Sequence, residues 1–360
     1  MREGNLLLIW DRIGDYHLAR VHACEKVVQA SVYTADLAGT DALYKWESID
    51  SSKHTILSDK SAEESDILNR FKAFRKLMKE KNIKFVAMPY GRMEYHLFLL
   101  YARLSGVRTI VFCESWYSRG GIKDFLKSLL LKTIGQYFFV SGHRAFTHLT
   151  ERYKIHPTKV AQGYSVVDNS HFEKGNSSYT DERKNIVCVA RYSKEKNLIQ
   201  LINAFAKSKA RKGYKLLLVG DGPDRKMLQQ HIVSLGLEGE INLSGWVAYT
   251  ELPGIYETAA CLVLPSLFEP WGLVVNEAMA AGLPIILSEE CGCLPDLLHT
   301  DKNGWSFKSD RELELVIALD QFADKDIVQR KEMSLYSINT IRAFTPQTWA
   351  GKIVAMIGKA

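Results

Sequence analysis

The sequence predicts an α/β protein built from two Rossmann-like, doubly wound domains. Three observations carry that expectation. Short runs recur in both halves, among them 5–10, 185–190 and 261–265, apolar at nearly every position as strands buried on both faces are. Helix-period stretches and turns rich in glycine and proline separate these runs. The chain has 360 residues, enough for two full cores. With 46% apolar and 24% charged residues the composition is that of a globular protein, which excludes disordered and fibrous classes. The longest apolar runs fall far below a membrane span, and the first residues lack the apolar core of a signal peptide.

In the first half, residues 5–10 read as a buried strand. Asp11-Arg12-Ile13-Gly14-Asp15 follows as a loop, and a helix starts near Tyr16. Strand, glycine loop and helix make an anion seat at the carboxyl edge of a sheet. The loop lacks GxGxxG, so a dinucleotide-binding oxidoreductase is not supported. Tyr16, His17 and Arg20 lie on the first turns of that helix; they either touch a ligand or simply begin a helix with Arg20 in solvent. Residues 30–34 read as a second strand, and 62–82 as an amphipathic helix with Ile67, Leu68, Phe71, Phe74 and Leu77 on one stripe. Segments 84–88, 109–113 and 137–140 continue a βαβ series. Loops 89–94 and 114–121 then fall at the same carboxyl edge, where open sheets bind ligands. Residues 123–132 combine Phe125, Leu126 and Leu129 with Lys123, Lys127 and Lys132 at helical spacing. That pattern suits a membrane-surface helix or an ordinary domain helix with solvated lysines. Residues 1–170 carry 25 Lys+Arg against 18 Asp+Glu, so the basic excess of the whole chain sits there. Such a field favours an acidic acceptor, a lipid phosphate or an anionic membrane surface; plain solubility charge is the alternative.

Residues 163–172 read as the link to a second domain, and the polar stretch 173–185 as solvent-exposed. The strand at 185–190 runs into Arg191-Tyr192-Ser193-Lys194-Glu195-Lys196-Asn197, and then into a helix that buries Leu198, Ile199, Leu201, Ile202 and Phe205. Arg191 and Lys196 flank that turn and can point into one site, offering a diphosphate a guanidinium fork and a point charge. Further strands are expected at 214–219 and 241–243, each followed by a turn with glycine, then a helix at 250–259. The central unit comes next: strand 261–265, a loop, a helix over 273–281 stopped by Gly282 and Pro284, and another strand. The helix start at Gly272 and Leu273 has unpaired N–H groups and a positive dipole, which suits phosphate. Glu269 precedes it and Glu277 lies within it. A carboxylate beside a phosphate needs another purpose, and vicinal hydroxyls supply one. Two polyols around a diphosphate describe a nucleotide-sugar. Residues 303–305 read as a turn, and helices close the chain, the last at 346–358. The six cysteines read as reduced, small apolar residues of a cytosolic protein, and Cys291-Gly292-Cys293 is too tight for common zinc pairing.

The run Glu269-Pro-Trp-Gly-Leu-Val-Val-Asn-Glu277-Ala-Met-Ala resembles the E-x7-E motif of retaining glycosyltransferase family 4, which has the GT-B fold. The resemblance implies two Rossmann-like domains facing across a cleft: 1–165 on the acceptor side, 166–342 on the nucleotide-sugar side, and 343–360 crossing back to the first. It implies catalytic roles for Glu269, Arg191 and Lys196, with Glu269 on the donor sugar and the two cations on the diphosphate. Glu277 is implied on the ribose, and Gly14, Gly272, Leu273, Trp271 and Val247 along the donor. Glu114 stands where relatives often carry a histidine near the sugar; with His17 and Tyr16 it is a candidate for sugar or acceptor contact. The implied reaction moves a hexosyl unit from a UDP- or GDP-sugar to a hydroxyl of a glycan or lipid-linked acceptor, by a front-face route with retention. No metal or other cofactor is expected, the donor being a substrate, and no nucleic-acid partner. The implied setting is bacterial-type surface polysaccharide synthesis in the cytoplasm, at the inner face of the membrane if associated. A nucleotide-sugar epimerase or phosphorylase on the same frame, or a non-catalytic nucleotide-sugar-binding protein, are the competing readings.

Overall fold

The computed structural model describes residues 4–40, 49, 51–118, 120–173 and 179–358. The chain divides into two units, Met1–Val167 with Pro346–Ala360, and Asp168–Thr345.

The first unit runs β1 (Asn5–Trp10), α1 (Asp15–Val27), β2 (Val32–Asp36), β3 (His54–Ile56), α2 (Ile67–Glu80), β4 (Ile83–Met88), α3 (Met93–Leu104), β5 (Arg108–Cys113), α4 (Ile122–Ile134), β6 (Tyr137–Val140), α5 (His143–Thr147) and β7 (Val160–Gln162). The second runs α6 (Asn169–Phe172), β8 (Asn185–Val189), α7 (Leu198–Lys207), β9 (Lys215–Val219), α8 (Arg225–Ser234), β10 (Ile241–Gly245), α9 (Leu252–Thr258), β11 (Ala259–Leu264), α10 (Leu273–Ala280), β12 (Ile285–Ser288), α11 (Leu294–Leu297), β13 (Gly304–Phe307), α12 (Glu312–Ala323) and α13 (Ile327–Ile341). A last helix, α14 (Pro346–Gly358), packs on α1 in the first unit.

Both sheets are parallel. Their strand orders are β3-β2-β1-β4-β5-β6-β7 and β10-β9-β8-β11-β12-β13. Each order reverses once, between β1 and β4 in the first and between β8 and β11 in the second. In such sheets the binding crevice opens outside the carboxyl ends of those two strands. The cores are the strand side chains and the helix stripes over them: Leu7, Ile9, Val86 and Phe98 in one unit, and Ile186, Leu218, Val263 and Phe205 in the other. Trp349 of α14 is fully buried and closes an aromatic group with Phe112, Phe139 and Tyr164.

Several expectations are corrected. The second strand begins at Val32 rather than residue 30, and α2 begins at Ile67 rather than 62. Leu68 does not share the buried stripe of α2; it is exposed, because the stripe turns on Phe74, Leu77 and Met78. The short edge strands β3 and β7 carry too little apolar patterning to be read in advance. Gly304, read as part of a turn, is instead the first residue of edge strand β13 beside Ile285. A Cβ at Gly304 would lie 1.7 Å from the carbonyl oxygen of Ile285, so the strand needs glycine there. The segment expected as an open link contains the one-turn helix α6, begun by Asp168, whose Oδ1 accepts from the Ser170 N–H at 3.1 Å. Among the described residues no helix is long and apolar enough to cross a membrane.

Candidate active site

The loops after β8 and β11 meet at the reversal point of the second sheet. The β8 loop makes a 3-10 turn over Lys194–Lys196, closed by Asn197 in the left-handed region with φ 54°. The backbone carbonyl of Glu195 in that turn accepts from the Leu267 N–H at 2.8 Å, which ties the two loops together. Lys196 Nζ then reaches Glu269 Oε2 at 2.5 Å. Both side chains are mostly enclosed, 20% and 13% exposed, so their attraction is screened less than a surface pair's. Burial alone pulls the Lys196 ammonium down; the carboxylate of Glu269 outweighs it and leaves the group above its usual value, protonated at neutral pH. Ser266 Oγ also donates to Glu269 Oε2, at 3.4 Å. The Glu269 backbone is pinned on the other side, where its carbonyl accepts from the Gly292 N–H and its N–H donates to the Glu290 carbonyl.

Gly272 starts α10 with φ 98° and ψ 71°, a conformation that L side chains resist. A Cβ there would meet Leu264 Cδ2 at 3.0 Å and Glu269 Cγ at 3.3 Å, so the absence of a side chain also leaves Glu269 its place. The first N–H groups of α10 therefore lie beside an acid–base pair, with half-buried Leu273 as the first helical residue. Arg191 lies two residues past the end of β8. Its side chain is exposed, without a hydrogen bond to another described residue, and it helps hold the Glu195 carboxyl below its ordinary range, after the Ser193 hydroxyl.

Two residues expected along the donor are buried. Trp271 is 3% exposed; its Nε1–H donates to Asn276 Oδ1 at 2.8 Å and its ring tilts on Phe344. Its indole anchors the loop from beneath rather than offering a stacking face. Glu277 is fully buried, and its Oε2 accepts from the Tyr256 hydroxyl at 2.6 Å. The Tyr256 hydroxyl thus fixes one oxygen of the Glu277 carboxylate within α10. Tyr256, Asn276 and Ser266 were not singled out from the sequence, because what selects them is contact across elements and not spacing. Cys291 and Cys293 are buried beneath the same loops, and none of the six cysteines forms a disulfide. Among the described residues no group of three His, Cys, Asp or Glu is arranged to hold a metal ion.

Residues 170–339 match the family model described as glycosyl transferases group 1. An uncharacterized glycosyltransferase of Methanocaldococcus jannaschii is 33% identical over 127 residues, covering 35% of this chain and 33% of that protein. The alpha-monoglucosyldiacylglycerol synthase of Acholeplasma laidlawii is 34% identical over 128 residues, covering 35% and 32%. The chain thus matches about a third of the length of these curated relatives. Anabaena HepE in complex with UDP superposes with a TM-score of 0.78 at 14% identity, covering 99% of this chain and 100% of that one. The sucrose-phosphate synthase of Thermosynechococcus elongatus gives 0.78 at 15%, covering 99% and 98%. These likenesses establish the GT-B fold for the whole chain.

The group 1 segment holds Glu269, Lys196, Arg191, Glu277, Trp271, Gly272, Leu273 and Val247, the last half-buried in the loop after β10. The remaining candidates lie in the first unit, at the carboxyl ends of β1 and β5. Here the loop after β1 proves self-satisfied. The Ile13 N–H donates to Asp36 Oδ1 at 2.8 Å, Arg12 pairs with Asp36, and the Gly14 N–H donates to His17 Nδ1 at 3.1 Å. The Ile13 and Gly14 N–H groups of this loop thus have acceptors within the first unit. Half-buried Tyr16 sits on the same turn of α1. Arg20, read as solvated in the alternative reading, is buried; it donates to the Val166 carbonyl at 2.9 Å and lies over the Tyr164 ring. Glu114 is exposed just past β5, where Ser165 Oγ, itself bonded to Ser141, approaches Glu114 Oε1 at 3.5 Å.

His17 carries a pH prediction. Burial first, then Arg20, holds its imidazole well below the ordinary 6.5, so it is neutral at pH 7, with Nδ1 accepting from the Gly14 N–H. On acidification the unfolded chain takes up this proton first, so stability falls as pH drops below about 6.5 and levels off below the folded value. His17→Gln is expected to lose less stability than wild type over that descent. Thermal midpoints measured against pH for both proteins check this, and parallel curves would refute it.

Proposed function

We propose that this protein is a retaining glycosyltransferase that moves a hexosyl unit from a UDP- or GDP-sugar to a hydroxyl of a glycan or lipid-linked acceptor. The observation that carries the reading is the Lys196–Glu269 pair beside the Gly272 helix start, at the reversal point of the group 1 segment. An ammonium, a guanidinium and free helix N–H groups suit the growing charge of a departing diphosphate. A carboxylate in the same place suits sugar hydroxyls. The names of the relatives support the class, and the synthase that makes a glucosyl diacylglycerol supports including lipid-linked hydroxyls among the acceptors.

In the proposed step the acceptor oxygen approaches the anomeric carbon on the face from which the diphosphate leaves. The bond from that carbon to the phosphate oxygen breaks, the bond to the acceptor oxygen forms, and the acceptor proton passes to the departing phosphate oxygen. Lys196 and Arg191 hold the diphosphate, and Glu269 orients the sugar. No cofactor beyond the donor is proposed, since the two cations supply the charge.

A panel of UDP- and GDP-hexoses tests this, first alone and then with glycan and lipid acceptors, with nucleoside diphosphate release as the readout. Slow donor hydrolysis, accelerated by an acceptor and giving a product of unchanged anomeric configuration by NMR, is expected. Donor conversion without acceptor, use of phosphate in place of acceptor, or binding with no turnover would each replace the reading by an epimerase, a phosphorylase or a sensor.

A further inference from the structure

Two neighbouring helices of the first unit turn apolar rows to solvent. On α4, Ile122, Phe125, Leu126 and Leu129 recur at i, i+3, i+4 and i+7 and are all exposed, Ile122 at 78% and Phe125 at 69%. The opposite side of α4, with Ser128, Leu131 and Ile134, is the one that faces the core. On α3, Met93, Leu97, Leu100 and Leu104 make a second exposed row, with Leu104 at 80%, while Tyr95, Phe98, Leu99 and Ala102 are buried. α3 packs against α4 on one side and α2 on the other, so the rows belong to one helical layer. A domain helix has no internal reason to keep two rows of large apolar side chains in water; such a patch marks an interaction surface.

The charges around the rows decide the occupant. Across α2, α3 and α4 there are nine Lys and Arg against three acids, Glu80, Glu94 and Asp124. Two of those acids are spoken for: Glu94 is buried against Arg70, and Asp124 accepts from the Gly120 N–H and pairs with Arg152. Glu80 lies 3.8 Å from Lys76. Lys123 and Lys132 are exposed on α4 itself, Arg103 on α3, and Lys72, Arg75 and Lys79 on α2. Two copies of this face would bring like charges together, whereas an anionic headgroup layer meets the cations and takes the apolar rows below it. We infer that the α3–α4 face docks on an anionic lipid surface, with the two apolar rows at the headgroup boundary and the lysines and arginines on the phosphates. This inference does not depend on glycosyl transfer, since it concerns a surface that holds none of the residues assigned to the donor.

Vesicle sedimentation of the full chain tests it, with phosphatidylcholine alone against phosphatidylcholine mixed with phosphatidylglycerol. Wild type is expected to sediment with the mixed vesicles and poorly with phosphatidylcholine. Binding is expected to weaken at 1 M salt, where charges are screened beyond about 3 Å. Phe125→Glu with Leu129→Glu, and separately Leu100→Glu, should each lower vesicle partitioning by about tenfold or more, because each removes buried apolar area and adds a like charge. Leu313→Glu, on an exposed apolar position of α12, should leave it unchanged. An unaltered thermal midpoint in the three variants ties the loss to the surface rather than to folding. No sedimentation of wild type with mixed vesicles overturns the inference, as does binding by the variants equal to wild type. A concentration-dependent dimer that the same variants abolish, without vesicle binding, replaces the lipid by a second copy.

Discussion

Lys196→Ala is expected to lower turnover by about 10²–10³-fold, the cost of removing one donor aimed at charge that grows in the transition state. Under the proposed reaction the ammonium acts twice. It neutralises the departing diphosphate, and through its 2.5 Å contact it keeps the Glu269 carboxylate where a sugar hydroxyl would meet it. The pair also keeps itself ionised. Glu269 holds the lysine above its ordinary 10.5 against the pull of burial, so the ammonium persists through neutral pH. Its electrostatic contribution to folding is in full force below the unfolded lysine value and disappears as pH rises through the higher folded one. Lys196→Arg separates charge from geometry: it keeps the cation but replaces a compact point charge by a planar fork. Recovery of part of the lost rate is therefore expected, with most of the remaining deficit in kcat rather than KM. Steady-state kinetics with the donor found active, together with circular dichroism of each variant, check the series. A Lys196→Ala protein that turns over near the wild-type rate would remove Lys196 from the mechanism.

Arg70→Met is expected to cost about 3–5 kcal/mol of stability, because it strands a buried carboxylate. Arg70 is fully buried on α2; its Nη1 donates to Glu94 Oε1 on α3 at 2.8 Å and its Nη2 to the Ser61 carbonyl at 2.7 Å. Removing the guanidinium leaves Glu94 enclosed without that cation. Pairing the change with Glu94→Gln removes the stranded charge, so the double variant is expected to regain a large part of the loss. At about 2–4 °C per kcal/mol for a domain of this size, the single variant should show a clear drop in thermal midpoint. Thermal and denaturant unfolding of the two single variants and the double variant close the cycle. A double variant no more stable than Arg70→Met would show that the loss comes from packing and not from charge. The same pair fixes α3 on α2, so the exposed row on α3 stands on it.

Much of this arrangement is legible in the chain, for identifiable reasons. Buried parallel strands have to be apolar on both faces, so β1, β8 and β11 stand out as runs. Glu269, Gly272 and Glu277 are close in sequence, and a loop followed by a helix start places them locally whatever the rest of the chain does. The five-residue interval from Arg191 to Lys196 likewise spans one strand-to-helix turn. The edge strands β3 and β7 were missed because an edge strand of three residues needs little apolar patterning, and Gly304 was misread because glycine marks turns far more often than close strand contacts.

What the sequence determined alone is the alternation of strands and helices, the position of the acidic and basic residues at strand ends, and a basic first half. Those follow from side-chain period and chain neighbours, which are local. The tertiary structure decided which of these groups meet. It joined Lys196 to Glu269 through the Leu267–Glu195 backbone bond, enclosed Glu277 under Tyr256, turned the Trp271 ring inward, and gave the Ile13 and Gly14 N–H groups Asp36 and His17 as acceptors. It also set the α3 row beside the α4 row. Burial and pairing depend on atoms brought together from distant parts of the chain, and no spacing rule along one segment carries that information.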